Sequence, residues 1–136
     1  MDFLISIPLQ RIYPDNPNFF DFANKCYSDP SLYPYVCERF KDEPSVKVIQ
    51  GVVPDVLEDN MPEKIAFMHI DLNSAAAEIG ALELLFPRMS SGAILVFDDY
   101  GWKEYFKQKE AEDAFMHERG YHILELPTGQ GMVIKK

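Results

Sequence analysis

Two apolar runs, each ending in aspartate, constrain the fold of this 136-residue chain more than any other feature. IAFMHI runs into Asp71, and AILVF runs into Asp98 and Asp99. Apolar runs of this length, rich in Ile, Val and Phe, are typical of strands buried in a sheet. Between them lies SAAAEIGALELLF, in which apolar residues recur at helical spacing. The sequence therefore predicts a parallel strand–helix–strand unit.

The helix of this unit is predicted to pack by one face. Asn73 or Ser74 can cap its first turn, because both residue types accept hydrogen bonds from free backbone N–H groups. Glu78 and Glu83 fall outside the apolar face and are expected to point to solvent. The residues predicted to line the buried face are Ala75, Ile79, Leu82 and Phe86.

The remaining segments complete an α/β pattern. VKVIQ is a strand closed by Gly51, KEYFKQKEAEDAFMHER is a charged helix with a solvated face, and YHILEL and MVIKK form a hairpin around PTGQG. The predicted fold is a mostly parallel sheet with a C-terminal antiparallel hairpin, in a single domain over residues 1–136. Residues 45–136 form its core. Residues 1–44 are irregular or helical, with FLISI as a possible strand and short helices at FFDFANKCY and LYPYVCERF.

The charge balance excludes several classes of partner. The net charge is −9 and the sequence pI is about 4.7, whereas nucleic acids and anionic membranes select for lysine and arginine. The apolar stretch FLISIPL is too short to span a bilayer. We therefore expect no nucleic-acid or membrane partner. The two cysteines, Cys26 and Cys37, form no CxxC motif and are expected to be reduced thiols of a cytoplasmic protein.

Asp71, Asp98 and Asp99 form the candidate site. Ligands of open α/β sheets bind beyond the carboxyl ends of the parallel strands, so these acids are expected on one rim of the sheet. Three carboxylates suit Mg²⁺ or a similar hard cation, which offsets their repulsion. Solvated loop acids, with Asp71 helping to cap the helix, explain the same residues about equally well.

The stretch from VKVIQG to VFDDYGW resembles the C-terminal half of a class I S-adenosylmethionine-dependent methyltransferase of the macrocin O-methyltransferase type. The features that carry the resemblance are an Ile-Asp pair at the end of the fourth family strand, a helix running into LFPRMSSGA, VFDDYGW at the fifth strand, and LPTGQGMVIKK as the closing hairpin. The resemblance covers roughly residues 38–136.

The resemblance implies a truncated Rossmann-like methyltransferase sheet and a metal-assisted O-methyltransferase. Asp71, Asp98 and Asp99 then correspond to the ligands of a divalent metal such as Mg²⁺, which binds and activates a hydroxyl of a small-molecule substrate. S-adenosylmethionine is the implied cofactor. Its expected contacts are Gly51, Val52 and Asp71, and the expected walls of the substrate pocket are Tyr100 and Trp102.

The sequence departs from the family in three places. None of its seven glycines forms a G-x-G-x-x-G turn between a strand and a helix. The family's D-G-D reads Asp71-Leu72-Asn73, and Ser74 stands where catechol-type enzymes carry a lysine base.

His69 lies inside an apolar strand and is expected to be a packed core residue.

These departures leave three functions open. The chain is a metal-assisted O-methyltransferase or a truncated member of that family, a non-catalytic interaction or oligomerisation module built on the same half-fold, or, less favoured, a metal-dependent hydrolase. Without a glycine-rich turn the chain is expected to bind S-adenosylmethionine weakly or not at all. An unpaired edge of the apolar sheet further predicts a homo-oligomer.

Overall fold

The computed structural model describes the backbone of residues 2–6 and the whole of residues 29–136. The predicted helix at FFDFANKCY lies outside the described residues. The chain divides into two compact units, Met1–Asp59 and Asn60–Lys136, and the prediction of one domain stays a prediction. The helices and strands are β1 (Asp2–Ser6), α1 (Leu32–Arg39), β2 (Val46–Gln50), β3 (Ile65–Ile70), α2 (Ala75–Leu85), β4 (Met89–Phe97), α3 (Phe106–Glu118), β5 (Leu124–Glu125) and β6 (Gly131–Ile134).

The first unit contains a two-stranded parallel sheet. β1 pairs with β2 in a register that sets Asp2 beside Val46 and Ser6 beside Gln50, so residues 3–6 of the predicted segment FLISI lie in a strand. Gly51 follows β2, and a Cβ atom at this position would lie 2.5 Å from Val56 Cγ2. The packing of Val56 therefore accounts for glycine at this position.

The second unit contains a four-stranded sheet in the order β3-β4-β6-β5. β3 and β4 are parallel, whereas β4 pairs with β6, and β6 with β5, in antiparallel fashion. The α/β class and the closing hairpin are confirmed. The expectation of a mostly parallel sheet is wrong for this unit, because the hairpin contributes two of the three strand pairings.

One face of this sheet packs against α2 and α3 to form the core. Leu82, Leu95 and Met116 are completely buried, and the rings of Phe86 and Phe115 meet edge to face with centroids 5.9 Å apart. Burying side chains of this size contributes roughly 1.5–3 kcal/mol each. This packing fixes α2 on the sheet and sets the path of the loop that joins β3 to α2.

Three predictions about burial are wrong. Glu78, expected in solvent, is fully buried, and so are Gln108 and Glu112 on α3, whose polar face was expected to be solvated. His69, expected in the core, has 42% of its side chain exposed. Its strand alternates between the two faces of the sheet, and His69 shares the open face with Phe67, which is 62% exposed.

The open face of the sheet carries a row of apolar side chains. Phe67 pairs with Ile94 and Ile94 with Ile134, and all three are exposed. None of the helices in the described part of the chain is long and apolar enough to cross a membrane.

Candidate functional site

The register of β3 and β4 places the aspartates side by side. Ile70 pairs with Phe97 in the parallel ladder, and the N–H of Asp98 donates to the carbonyl of Ile70 over 3.0 Å. Asp71 and Asp98 each follow one of the paired residues. The two carboxylates therefore leave the sheet at the same edge, as the carboxyl ends of neighbouring parallel strands must.

The three acidic side chains converge at this edge. One carboxylate oxygen from each of Asp71, Asp98 and Asp99 lies within 4.8 Å of the others. Asp71 is exposed and the other two are half-buried, so the cluster is open to solvent on one side. A ligand from solution can reach it.

The loop after β3 is shaped by Asn73 and Ser74. Ser74, with extended backbone, is the N-cap of α2, and its Oγ accepts from the N–H of Ala77 over 3.4 Å. Asn73 has a φ of 53°, a left-handed conformation that asparagine tolerates better than most residues. Its Nδ2 donates to Asp71 Oδ1 over 3.0 Å. Of the two predicted caps Ser74 is therefore the one used, while Asn73 orients the first aspartate.

Two further side chains hold Asp98. Gln130 Nε2 donates to Asp98 Oδ1 over 2.9 Å, and His69 Nε2 lies 3.1 Å from the same oxygen. Sequence reasoning assigned Gln130 to a hairpin turn and His69 to the core, so it missed both contacts. The pairing of Phe97 with Gly131 explains the first, because it brings Gln130 opposite Asp98.

The cluster is electrostatically strained. Burial, followed by repulsion from Asp98 and Asp71, raises the pKa of Asp99 to about 6. Burial and the charge of Asp98 also raise the pKa of Asp71, while His69 and Asn73 act in the opposite direction. Within residues 29–136 no lysine or arginine pairs with any of the three acids. The neighbouring side chains therefore orient the carboxylates without neutralising them.

This donor set fits a hard divalent cation. Mg²⁺ and Ca²⁺ prefer oxygen ligands at about 2.0–2.6 Å, so two oxygens on one ion lie at most roughly 4–5 Å apart. The separations in the cluster meet that limit. A cation would also supply positive charge beside the carboxylates, which no lysine or arginine within residues 29–136 pairs with.

The structure places the other predicted site residues as follows. Tyr100 is buried, and its hydroxyl donates to Asp113 Oδ1 over 2.7 Å. Trp102 is 55% exposed, and its indole lies so close to Gly129 that a Cβ there would be 2.8 Å from Nε1. Gly51 and Val52 follow β2 in the first unit. Roles for these four residues in substrate or cofactor binding stay predictions.

We predict that the cluster makes the metal-free protein less stable as the pH rises. The folded chain keeps the proton on Asp99 up to about pH 6, whereas the unfolded chain releases it near the ordinary value of 3.8. Because the folded state binds more protons in this window, its free energy of unfolding falls as pH rises through it and then levels off. Asp99→Asn removes this contribution.

Thermal unfolding in EDTA at a series of pH values tests this prediction. The melting temperature of Asp99→Asn should rise relative to that of the wild type between about pH 4 and pH 6. The exposed acid Asp42 provides a matched control, Asp42→Asn. A constant difference between wild type and Asp99→Asn across the series would contradict the prediction.

Comparison with known families gives one match over most of the described chain. The family model described as Macrocin-O-methyltransferase (TylF) matches residues 37–124. This range contains Asp71, Asp98 and Asp99 but ends before Gln130. No curated protein sequence matches the chain.

Solved structures with the same fold include two O-methyltransferases of low sequence identity. The O-methyltransferase NovP superposes with a TM-score of 0.76 at 16% identity, over 98% of this chain and 59% of NovP. Calicheamicin methyltransferase CalS11 superposes with a TM-score of 0.60 at 16% identity, over 96% of this chain and 59% of the CalS11 chain. The apo structure of CalS11, described as a TDP-rhamnose 3'-O-methyltransferase, superposes with a TM-score of 0.59 at 16% identity, over 97% of this chain and 57% of the CalS11 chain. The chain thus spans less than two thirds of the length of these proteins.

Proposed function

The chain belongs to the macrocin O-methyltransferase (TylF) family, and we propose that it forms the metal-binding part of a divalent-metal-assisted O-methyltransferase. The observation that carries the proposal is the cluster of Asp71, Asp98 and Asp99, whose ligand oxygens lie within 4.8 Å of one another. Family membership supports methyltransferase activity in general. The geometry of the three acids supports the binding of a divalent metal.

In this proposal the three carboxylates hold the cation and their neighbours set its position. A bound Mg²⁺ supplies Lewis-acid chemistry, which lowers the pKa of a coordinated hydroxyl. Gln130 and His69 fix the orientation of Asp98, and Asn73 fixes that of Asp71. Ligands held in this way lose little freedom on binding, which favours a defined cation geometry.

The proposed acceptor is a hydroxylated small molecule. Because the cluster is open to solvent on one side, a substrate hydroxyl, or two adjacent ones, can complete the coordination of a cation that keeps positions free. The description of CalS11 as a TDP-rhamnose 3'-O-methyltransferase makes a sugar hydroxyl the first acceptor to test. The net charge of −9 supports the exclusion of nucleic acid as a partner.

The methyl donor implied by the family is S-adenosylmethionine, and we expect this chain to supply only part of a site for it. The sequence contains no glycine-rich turn between a strand and a helix, and packing against Val56 accounts for Gly51. We therefore assign no step of the reaction to contacts between this chain and the donor.

Separate calorimetric titrations of Mg²⁺ and S-adenosylmethionine into the 136-residue chain test this proposal. We expect saturable one-to-one binding of Mg²⁺, and weak or no binding of S-adenosylmethionine at micromolar concentrations. Absence of Mg²⁺ binding would contradict the metal-assisted proposal. Tight binding of S-adenosylmethionine would contradict the expectation of an incomplete donor site.

A second candidate is the non-catalytic module that associates with itself. The row of Phe67, Ile94 and Ile134 on the open face of the sheet favours it, because contiguous exposed apolar surface marks sites of association. The row carries no charge, so copies of an acidic chain could meet there with the least repulsion. Homo-oligomerisation stays a prediction.

A further inference from the structure

Three polar side chains are buried between α2 and α3, away from solvent. Glu78 on α2 and Glu112 on α3 have no exposed surface, and Gln108 on α3 is 4% exposed. Packing contacts surround them, since α2 and α3 contribute Leu82, Phe115 and other residues to the same core. A buried acid is costly unless it is neutral or bonded, so the presence of two together requires an explanation.

The two carboxyl groups interact with each other. Burial, followed by the adjacent carboxyl group of Glu112, raises the pKa of Glu78. The raised pKa favours the neutral form of Glu78, but Glu78 Oε2 and both carboxyl oxygens of Glu112 have no hydrogen-bond partner among the described residues. The interaction within the pair therefore does not explain its presence, because apolar residues of similar volume usually pack in such positions at no loss of stability.

Glu78 makes one contact that leads to the metal cluster. Its Oε1 accepts a hydrogen bond of 3.2 Å from the backbone N–H of Leu72. Leu72 is the residue after Asp71, in the short loop between β3 and α2. The contact ties the first turn of α2 to the backbone that carries the first aspartate, and an apolar side chain could not make it.

We propose that Glu78 is a positioning residue of the metal site. Its buried carboxyl oxygen holds the N–H of Leu72 and so keeps Asp71 within reach of the cation bound by Asp98 and Asp99. This inference rests on the proposed function, because it requires that the cluster bind a metal. Glu112 does not share this role, because neither of its carboxyl oxygens has a hydrogen-bond partner among the described residues, the loop included.

Mn²⁺ affinity, followed through the electron paramagnetic resonance signal of the free ion, tests the proposal. Glu78→Met keeps the volume but removes the acceptor, and we expect it to weaken Mn²⁺ binding roughly 10- to 100-fold, the usual cost of losing a group that orients a metal ligand. Glu78→Gln keeps the volume of the side chain and an acceptor for the N–H of Leu72. Its affinity should stay close to that of the wild type.

Two control variants separate positioning from helix packing. Glu112→Met removes the other half of the buried pair but leaves the contact to Leu72, and Glu83→Met changes an exposed glutamate on the same helix. Both should bind Mn²⁺ as the wild type does. Equal losses of affinity in Glu78→Met and Glu112→Met would overturn the proposal, because the pair would then act only through packing.

Two further results complete the test. If Glu78→Met does not fold, hydrogen exchange of the Leu72 amide in the wild type decides: slow exchange supports the contact, and exchange as fast as in an open loop overturns it. If the wild type binds no Mn²⁺, the proposed metal site fails and this inference fails with it. If the wild type binds and folded Glu78→Met binds equally well, only the role of Glu78 is overturned.

Discussion

Replacing Asp98 by asparagine is expected to abolish the thermal stabilisation that Mg²⁺ gives to the wild-type chain. Asp98 acts on both of the other acids, since its charge raises the pKa of Asp71 and that of Asp99. An amide keeps the shape of the side chain but removes the anionic ligand. A cation that binds only the folded state stabilises it by about 2.7 kcal/mol at a hundredfold excess over its Kd, and this increment should disappear.

In the absence of Mg²⁺, the Asp98→Asn variant should be more stable than the wild type. Without a cation, Asp98→Asn removes repulsion from the cluster, so its melting temperature should lie above that of the wild type. The control is Asp59→Asn, which changes an exposed aspartate outside the cluster and should respond to Mg²⁺ as the wild type does. An Mg²⁺-induced shift of wild-type size in Asp98→Asn would contradict the assignment.

Replacing Phe97 by alanine is expected to lower the free energy of unfolding by about 3–5 kcal/mol. Phe97 is fully buried at the end of β4, and the alanine leaves a cavity directly before Asp98. The loss is a large share of the roughly 5–15 kcal/mol that stabilises a typical domain. We therefore expect a large drop in the midpoint of denaturant unfolding, together with weaker Mg²⁺ binding as the strand end loosens.

The control for this variant lies on the same strand. Ile94 is 38% exposed on the open face of the sheet, so Ile94→Ala should cost clearly less, within roughly 1.5 kcal/mol. Equal losses at the two positions would show that the core does not lie on the face covered by α2 and α3.

Much of the second unit could be predicted from the sequence because its pattern is local. IAFMHI and AILVF became β3 and the end of β4, and the helical spacing between them became α2. Two parallel strands joined by one helix end at the same edge, so the meeting of Asp71 and Asp98 followed from strand order alone. The closing hairpin followed from two strand-like segments around PTGQG.

The side chains that the sequence did not reveal are those whose positions depend on tertiary contacts. His69 was hidden because IAFMHI was interpreted as a continuous buried run, whereas Ala66, Phe67 and His69 of this strand are exposed. Gln130 reaches Asp98 only because β6 pairs with β4. Glu78 appears off the apolar face of α2, and only the packing of α3 against that helix buries it.

The most direct test of the metal site is the anomalous scattering of Mn²⁺ in crystals of the protein. We predict a single strong peak that lies within about 2.6 Å of an oxygen from each of Asp71, Asp98 and Asp99. This is the distance at which oxygen ligands bind hard cations. The absence of a peak at saturating Mn²⁺, or a peak bound elsewhere with the three aspartates unligated, would contradict the proposal that this cluster is a metal site.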